Sequence, residues 1–556
     1  MDTTRRRAVA VVGAVVVGAT LVASTQASAS SSLFLSDVAA NAKTPGFSAP
    51  DVLSPQLAEL VVAQGANALE NPTAAIGSYG YDADGPFVAL PGGNVEAHKT
   101  EPDKNTYLVL HDQRGKDPAY DYGTHFLYQG HETGTAGYVT RINLDADAAH
   151  RVTLLTSTDS TGAALPTMDG STYDPFSKSL ILTTENRTKS GAYEVGLAFD
   201  GTTAPTHSLI GSLGRAAYEG VQVDSAGNLW LVEDVSGATV AGAKQPNSYL
   251  YRFVPAKRGD LSAGKLQALV VKDKDGHPIV VDPSTPLTDQ IAQRYTYGTS
   301  LATEWVTIHD TAVDGTSAFD AFSAAAGKGA TALKRPENGV FQPGTRFHDF
   351  YFTETGDTSA TSTADPENNP GHVNYGGYGG VFKLSQPRPS SNTGIVSLVY
   401  AGDKAHTGFD NIAFLDGSRA LVVEDAGDTL HTQRGALDSG YAVDVTHDWS
   451  DGSAPTRFLA EGRDASATLD SAFLGSTSFV NEGDNEITGI HVSDGDPSVD
   501  GLLGRRVPKP FHDGTRIFWT QQHGDNVTYE IVRALRGADE KLVVFGVSSS
   551  GVMLLG

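Results

Sequence analysis

Apolar residues along this chain alternate with polar ones in short runs, and the runs come in pairs separated by Gly, Asn, Asp or Ser. Alternation of period two, broken by such turns, predicts antiparallel β-hairpins. Residues 218–234, YEGVQVDSAGNLWLVED, set the pattern. Glu219 opens it, Val221 and Val223 alternate outward, and Ser225-Ala226-Gly227-Asn228 make the turn. Leu229, Trp230, Leu231 and Val232 return, and Glu233-Asp234 close it. Residues 409–425, FDNIAFLDGSRALVVED, repeat it at the same spacing, with Asp410 for Glu219 and Glu424-Asp425 for Glu233-Asp234. Looser copies run from Asp169 to Glu185 and from Arg335-Pro336-Glu337 to Glu354 and Asp357.

Each hairpin is followed by further strand-like runs, such as GAYEVGLAFD at 191–200 and NSYLYRFVP at 247–255. Counting from about Tyr107, where the strand pattern begins, to the end gives six such units. An all-β, six-bladed β-propeller with loop and short-helix insertions is the expected fold, because blades bury their faces only by stacking around an axis. Residues 101–556 would form it. The long insertion at 259–331 is expected to carry small helices, and 358–377 reads as a loop. Residues 30–100, rich in Ala, Pro and Gly, read as an arm or cap. Within them, 51–69 is expected to hold a short helix with Ser54 as its cap.

A hairpin returns its two ends to one edge. In a propeller, the acids at those ends would meet at one mouth of the central channel. Strand ends are often polar, which explains one acidic hairpin but not four with acids at the same edge. Carboxylates crowded on one rim repel unless a cation lies between them, and an all-oxygen set suits a hard ion such as Ca²⁺. The candidate metal ligands are Glu185, Glu219, Glu233, Asp234, Glu337, Asp410 and Glu424. Glu482 and Asp484 join them from the acidic run that opens the last unit. Arg335 precedes a proline, which favours an extended backbone, and its guanidinium could clamp a phosphate or carboxylate or simply pair with Glu337. His125, His131, His523 and Asp525 sit at strand ends, where ordinary hydrogen bonding is the commoner role. Asp273-Lys274-Asp275-Gly276 lacks the later ligands of a calcium loop and reads as a turn.

Composition narrows the function. Asp and Glu number 65 against 40 Lys and Arg, a net charge of −25, which argues against nonspecific binding to nucleic acid. The absence of cysteine excludes disulfides, thiolate metal sites, a cysteine nucleophile and a lipoprotein anchor. Arg5-Arg6-Arg7, an apolar run and Ala27-Ser28-Ala29 read as an export signal over 1–29, with Thr4-Arg5-Arg6 resembling the twin-arginine form. The expected mature protein is secreted, free of the membrane and monomeric. There is no Gly-rich phosphate loop, GxSxG elbow or HExxH helix.

The strand end Thr183-Thr184-Glu185-Asn186, Tyr218-Glu219-Gly220, Lys334-Arg335-Pro336-Glu337, Phe409-Asp410-Asn411 and the closing WTQQHGDN at 519–526 resemble, in that order, the PhoX family of secreted bacterial alkaline phosphatases (DUF839). The resemblance covers most of the chain from about residue 100. It implies a six-bladed propeller, calcium ions and a pair of irons in the channel mouth, phosphomonoester hydrolysis, and active-site roles for Arg335 and Glu337. One departure matters: Thr184 and Asn186 stand where the family's Thr-Cys-Glu-Glu strand end has Cys and the second Glu. Iron thereby loses a thiolate ligand, and calcium is the cofactor to expect. The leading expectation is a secreted, metal-dependent phosphomonoester hydrolase acting on small phosphoesters. A calcium-dependent esterase or lactonase, and a noncatalytic calcium-stabilised binding propeller, are the alternatives.

Overall fold

Asp at the start of a turn organises the hairpins. In the computed structural model, Asp224 accepts from the backbone N–H of Ala226 (2.7 Å) and Asn228 (3.1 Å) and from Trp230 Nε1 (2.9 Å). Gly227 supplies the positive φ of 83° that closes the turn. Asp174 and Asp416 hold the equivalent turns of two other hairpins through the N–H groups of Phe176 and Ser418. Residues 33–43, 50–81, 100–134, 136–371, 373–462, 486–522, 526–536, 542–548 and 551–555 are described. Residues 35–556 form one unit; of a second, 1–34, only Leu33 and Phe34 are described.

The fold is mostly β and propeller-like. Four sheets stand apart as blades. Thr106–Val109, His125–Gly130, Val139–Asn143 and Val152–Thr156 form one antiparallel meander, and Ser171–Asp174, Ser179–Thr183, Ala192–Gly196 and Thr206–Ser208 the next. Phe409–Phe414, Arg419–Glu424, Ser439–Asp444 and Thr456–Ala460 form a third, and Val52–Leu53 adds to its edge. Glu486–Ser493, Arg516–Gln522 and Val527–Arg536 begin the fourth. A nine-stranded sheet lies between. It starts at Tyr218–Val223 and Leu229–Glu233, ends at Asp349–Glu354 and Gly339–Phe341, and is joined across the middle by Ser300–Asp310.

Thus the insertion at 259–331 carries short helices, Asp289–Ala292, Thr311–Asp314 and Ala321–Gly327, but its main content is two long strands, Asp260–Val271 and Ser300–Asp310. Residues 358–377 contain no helix or strand among those described. The helix expected at 51–69 is instead the strand Leu57–Ala63, paired antiparallel with Val527–Arg536. Leu60-Val61-Val62 fits either structure locally; the open edge of the last meander decides. The core is aromatic at the join: Trp230 packs edge-on to Trp305 and Phe341.

The first strands neighbour one another in turn. Thr106–Val109 lies beside Ser171–Asp174, followed by Tyr218–Val223, Gly339–Phe341, Phe409–Phe414 and Glu486–Ser493, which returns to Thr106–Val109. Threonines on second strands tie neighbours together. Thr183 Oγ1 donates to the carbonyl of Glu219, and Thr353 Oγ1 to that of Asp410 (2.5 Å). The strands can offer these carbonyls sideways because the ladder slips there. Register shifts fall between Tyr218 and Val221 and between Phe409 and Ile412, and such bulges re-aim the backbone.

Candidate active site

The acids on or just before the first strands are buried: Asp103, Asp169, Glu219, Glu337 and Asp410 are all at most 6% exposed. Three overlapping groups bring carboxylate oxygens within 4.8 Å of one another: Asp103, Glu132 and Asp169; then Asp169, Glu185 and Glu219; then Glu219, Glu337 and Asp410. Asp169 and Glu219 are shared, so the groups run together as one chain of carboxylates. A cavity of about 250 Å³ opens on Glu132, Thr167, Asp169, Glu185 and Asn186.

Burial and mutual repulsion push these acids toward their neutral forms. Desolvation, then the other carboxylates, raise Asp169, Glu219, Glu337 and Asp410 well above the ordinary range, and Glu185 to about 8. Among the described residues, neither oxygen of Asp169 has a hydrogen-bond partner. A cation would satisfy those oxygens and remove the repulsion. These three groups offer carboxylate oxygen alone. The donor chemistry therefore fits a hard metal ion, and the acidic clusters could hold one.

Two cations of the chain share the site. Arg335 Nε and Nη2 donate to Asp234 at 2.8–3.0 Å, and Nη2 lies 3.3 Å from Glu337 Oε1. Its side chain is 18% exposed, so one edge still reaches solvent. The extended backbone expected before Pro336 is not found: Arg335 has φ 51°, in the left-handed region. Thr355 N holds its carbonyl at 3.0 Å and Asp234 its head, and these anchors offset a strain of about 1–3 kcal/mol. Glu101, before Pro102, repeats the device at φ 48°, its carbonyl accepting from Glu132 N at 3.0 Å. The second cation, Lys104, is buried, and desolvation draws its amine down to about 8 against the pull of Asp410 and Asp103.

The strand-end pairs divide by alternation. In each, the last strand residue turns away from the shared acids. Glu233 accepts from Tyr251 Oη (2.8 Å), Glu354 from Arg294 and Tyr295, and Glu424 is ion-paired to Arg434 (3.0 Å). The next residue hydrogen-bonds back across the hairpin mouth, Asp234 N to Ala217 O (3.0 Å) and Asp425 N to Gly408 O (2.7 Å). So the structure brings Glu185, Glu219, Glu337 and Asp410 into the shared groups and sets Asp234 against Arg335. It places Glu233 and Glu424 with other partners. Glu482 and Asp484 lie outside the described residues, as do His523, Asp525 and the export signal. His125 pairs with Asp145 (2.9 Å), and buried His131 bonds Thr100 (3.1 Å) and Thr140 (2.9 Å); neither belongs to the acid groups. Asp103, Glu132, Asp169 and Lys104 complete the site without having been among the candidates. Glu101-Pro102-Asp103 parallels Arg335-Pro336-Glu337, and that was the signal.

No curated protein matches the chain. Among solved structures, PhoX of Pseudomonas fluorescens in complex with vanadate, a transition-state analogue, matches with TM-score 0.51 and 12% identity over 90% of this chain and 98% of that one. A Bacteroides uniformis protein provisionally assigned as a 6-phosphogluconolactonase matches with TM-score 0.27 and 11% identity over 82% and 95%. The model of the family described as alkaline phosphatase PhoX matches residues 198–496, more than half of the chain. The chain therefore belongs to the alkaline phosphatase PhoX family, whose members are phosphoric monoester hydrolases.

Proposed function

We propose that this protein is a secreted phosphomonoester hydrolase that works with Ca²⁺ held at the mouth of a six-bladed propeller. The observation that carries the reading is the continuous chain of carboxylates from Asp103 to Asp410 with Arg335 fixed beside it by Asp234. The blade count is supported by the closed succession of first strands, with the nine-stranded sheet counted as two blades joined through Ser300–Asp310. Calcium is supported by donor sets made of oxygen alone. Secretion is supported by Arg5-Arg6-Arg7, the apolar run and Ala27-Ser28-Ala29. No helix among the described residues is long and apolar enough to cross a membrane.

Asp103, Glu132, Asp169, Glu185, Glu219, Glu337 and Asp410 would hold the cations. When bound, these neutralise ester oxygens and lower the pKa of an attacking water. Asp234 occupies Nε and Nη2 of Arg335, so Nη1 is the edge that would meet a phosphoryl oxygen and stabilise charge as the transition state forms. Glu337 ties the two parts together, sharing the third acid group and facing Arg335. A small phosphoester is the substrate class. Arg335→Ala should lower kcat/KM for p-nitrophenyl phosphate by about a hundredfold or more while sparing any action on p-nitrophenyl acetate. Equal losses on both esters would remove Arg335 from phosphoryl binding.

A further inference from the structure

A lysine lies beneath the acids, and nothing in the reading above uses it. Lys104 follows Asp103 directly, and its side chain is buried between sheets. Its Nζ donates to Asn411 Oδ1 at 2.7 Å and to the carbonyl of Ile490 at 3.2 Å. These partners come from the first strands of two other meanders, Phe409–Phe414 and Glu486–Ser493.

The receiving side is built for it. The ladder of Glu486–Ser493 slips between Thr488 and His491, and Gly489 takes φ 64° in the slip. Two successive carbonyls are released: Gly489 O accepts from Asn105 Nδ2 at 2.8 Å, and Ile490 O accepts from Lys104. The bulge thus receives two consecutive side chains from the segment that carries Asp103.

Asn411 transmits the effect. An ammonium only donates, so it fixes which end of the amide faces it. With Oδ1 turned to Lys104, Nδ2 must point the other way, where it donates to Asp410 Oδ1 (2.8 Å) and Oδ2 (2.7 Å) and to Thr488 Oγ1 (3.1 Å). Asp410 is thereby held in one orientation within the group it forms with Glu219 and Glu337.

We propose that Lys104 is a positioning residue for the cation site: through Asn411 it fixes the Asp410 carboxylate, and so sets the affinity of the Glu219–Glu337–Asp410 group for a divalent cation. The proposal rests on the metal reading above. Without the lysine the Asn411 amide loses the anchor on its Oδ1 and is held from the Nδ2 side alone, so the carboxylate it braces is less firmly placed.

The test is calorimetric titration of Ca²⁺ into the chelator-stripped full chain. Wild type should bind, and Lys104→Met should bind about tenfold or more weakly. Asn411→Ser, which cuts the same link from the other side, should show the same loss and decides the matter if Lys104→Met does not fold. The double variant should be no weaker than the worse single one, since both break one connection. Excess calcium should restore kcat of Lys104→Met on p-nitrophenyl phosphate with KM unchanged, a rescue that damage to the fold would not give. Wild-type calcium affinity in Asn411→Ser, additive losses in the double variant, or a kcat that calcium does not restore would overturn the role of Lys104. A wild type that binds no calcium would overturn the metal reading and this proposal with it.

Discussion

Glu233 and Asp234 are adjacent in sequence and differ completely in surroundings. Glu233 is buried against Tyr251, and burial raises it to about 8; Asp234 holds Arg335 beside Glu337. The same split separates Glu424, paired to Arg434, from Asp425. An acidic strand end was plain in the sequence, but which of two neighbours faces the shared acids depends on a register set by the bulges at Glu219-Gly220 and Asp410-Asn411. No local pattern shows that. The consequence is testable by substitution. Glu219→Gln should weaken calcium binding sharply, whereas Glu233→Gln should leave it within about twofold, as read by calorimetry; both expectations follow from which carboxylate would touch the ion. Glu424→Ala should lower stability by about 3–5 kcal/mol, because Arg434 is left in a buried place with one partner fewer, and urea unfolding measures it. Equal effects of the Glu219 and Glu233 substitutions on calcium would contradict the assignment.

At the scale of elements, the hairpins were legible because alternation and Asp/Gly turns are local signals. The two long strands between 260 and 310 and the strand Leu57–Ala63 were not, because their identity is settled by distant partners. Leu57 pairs with Arg533 across most of the chain, and no window of sequence contains both. The threonine ties between second strands and neighbouring first strands are likewise nonlocal. Thr353→Val keeps the shape but leaves the carbonyl of Asp410 without its 2.5 Å donor. It should cost about 1–3 kcal/mol and also weaken calcium binding, since the same residue carries the carboxylate. Thermal and calcium titrations on one sample separate the two effects.

For the whole molecule, charge dominates. A net charge of −25 includes a set of buried carboxylates whose protonated forms are favoured by the fold. The sign follows from linkage. Glu185 and Glu233 titrate near 8 when folded but near 4.5 when exposed on unfolding. Their contribution to stability is fully present below pH 4.5 and is lost as pH rises through about 8. Glu219, Glu337, Asp169 and Asp410 act in the same direction. Chelator-treated protein should therefore melt at progressively lower temperature from pH 5 to pH 9, and calcium should remove most of that slope by taking the protons' place; those pH limits are about those of the carboxylate shifts. A melting temperature of stripped protein that stays flat across the range would show that these acids are compensated in some other way.

The most direct measurement is phosphate release from p-nitrophenyl phosphate by protein stripped to metal-free by elemental analysis, followed as Ca²⁺ is titrated back, with Glu337→Gln alongside. The account predicts no turnover in the stripped protein, recovery with calcium as the sites fill, and no recovery in the folded Glu337→Gln variant. Turnover by protein shown to contain no metal, or full activity in Glu337→Gln, would contradict it.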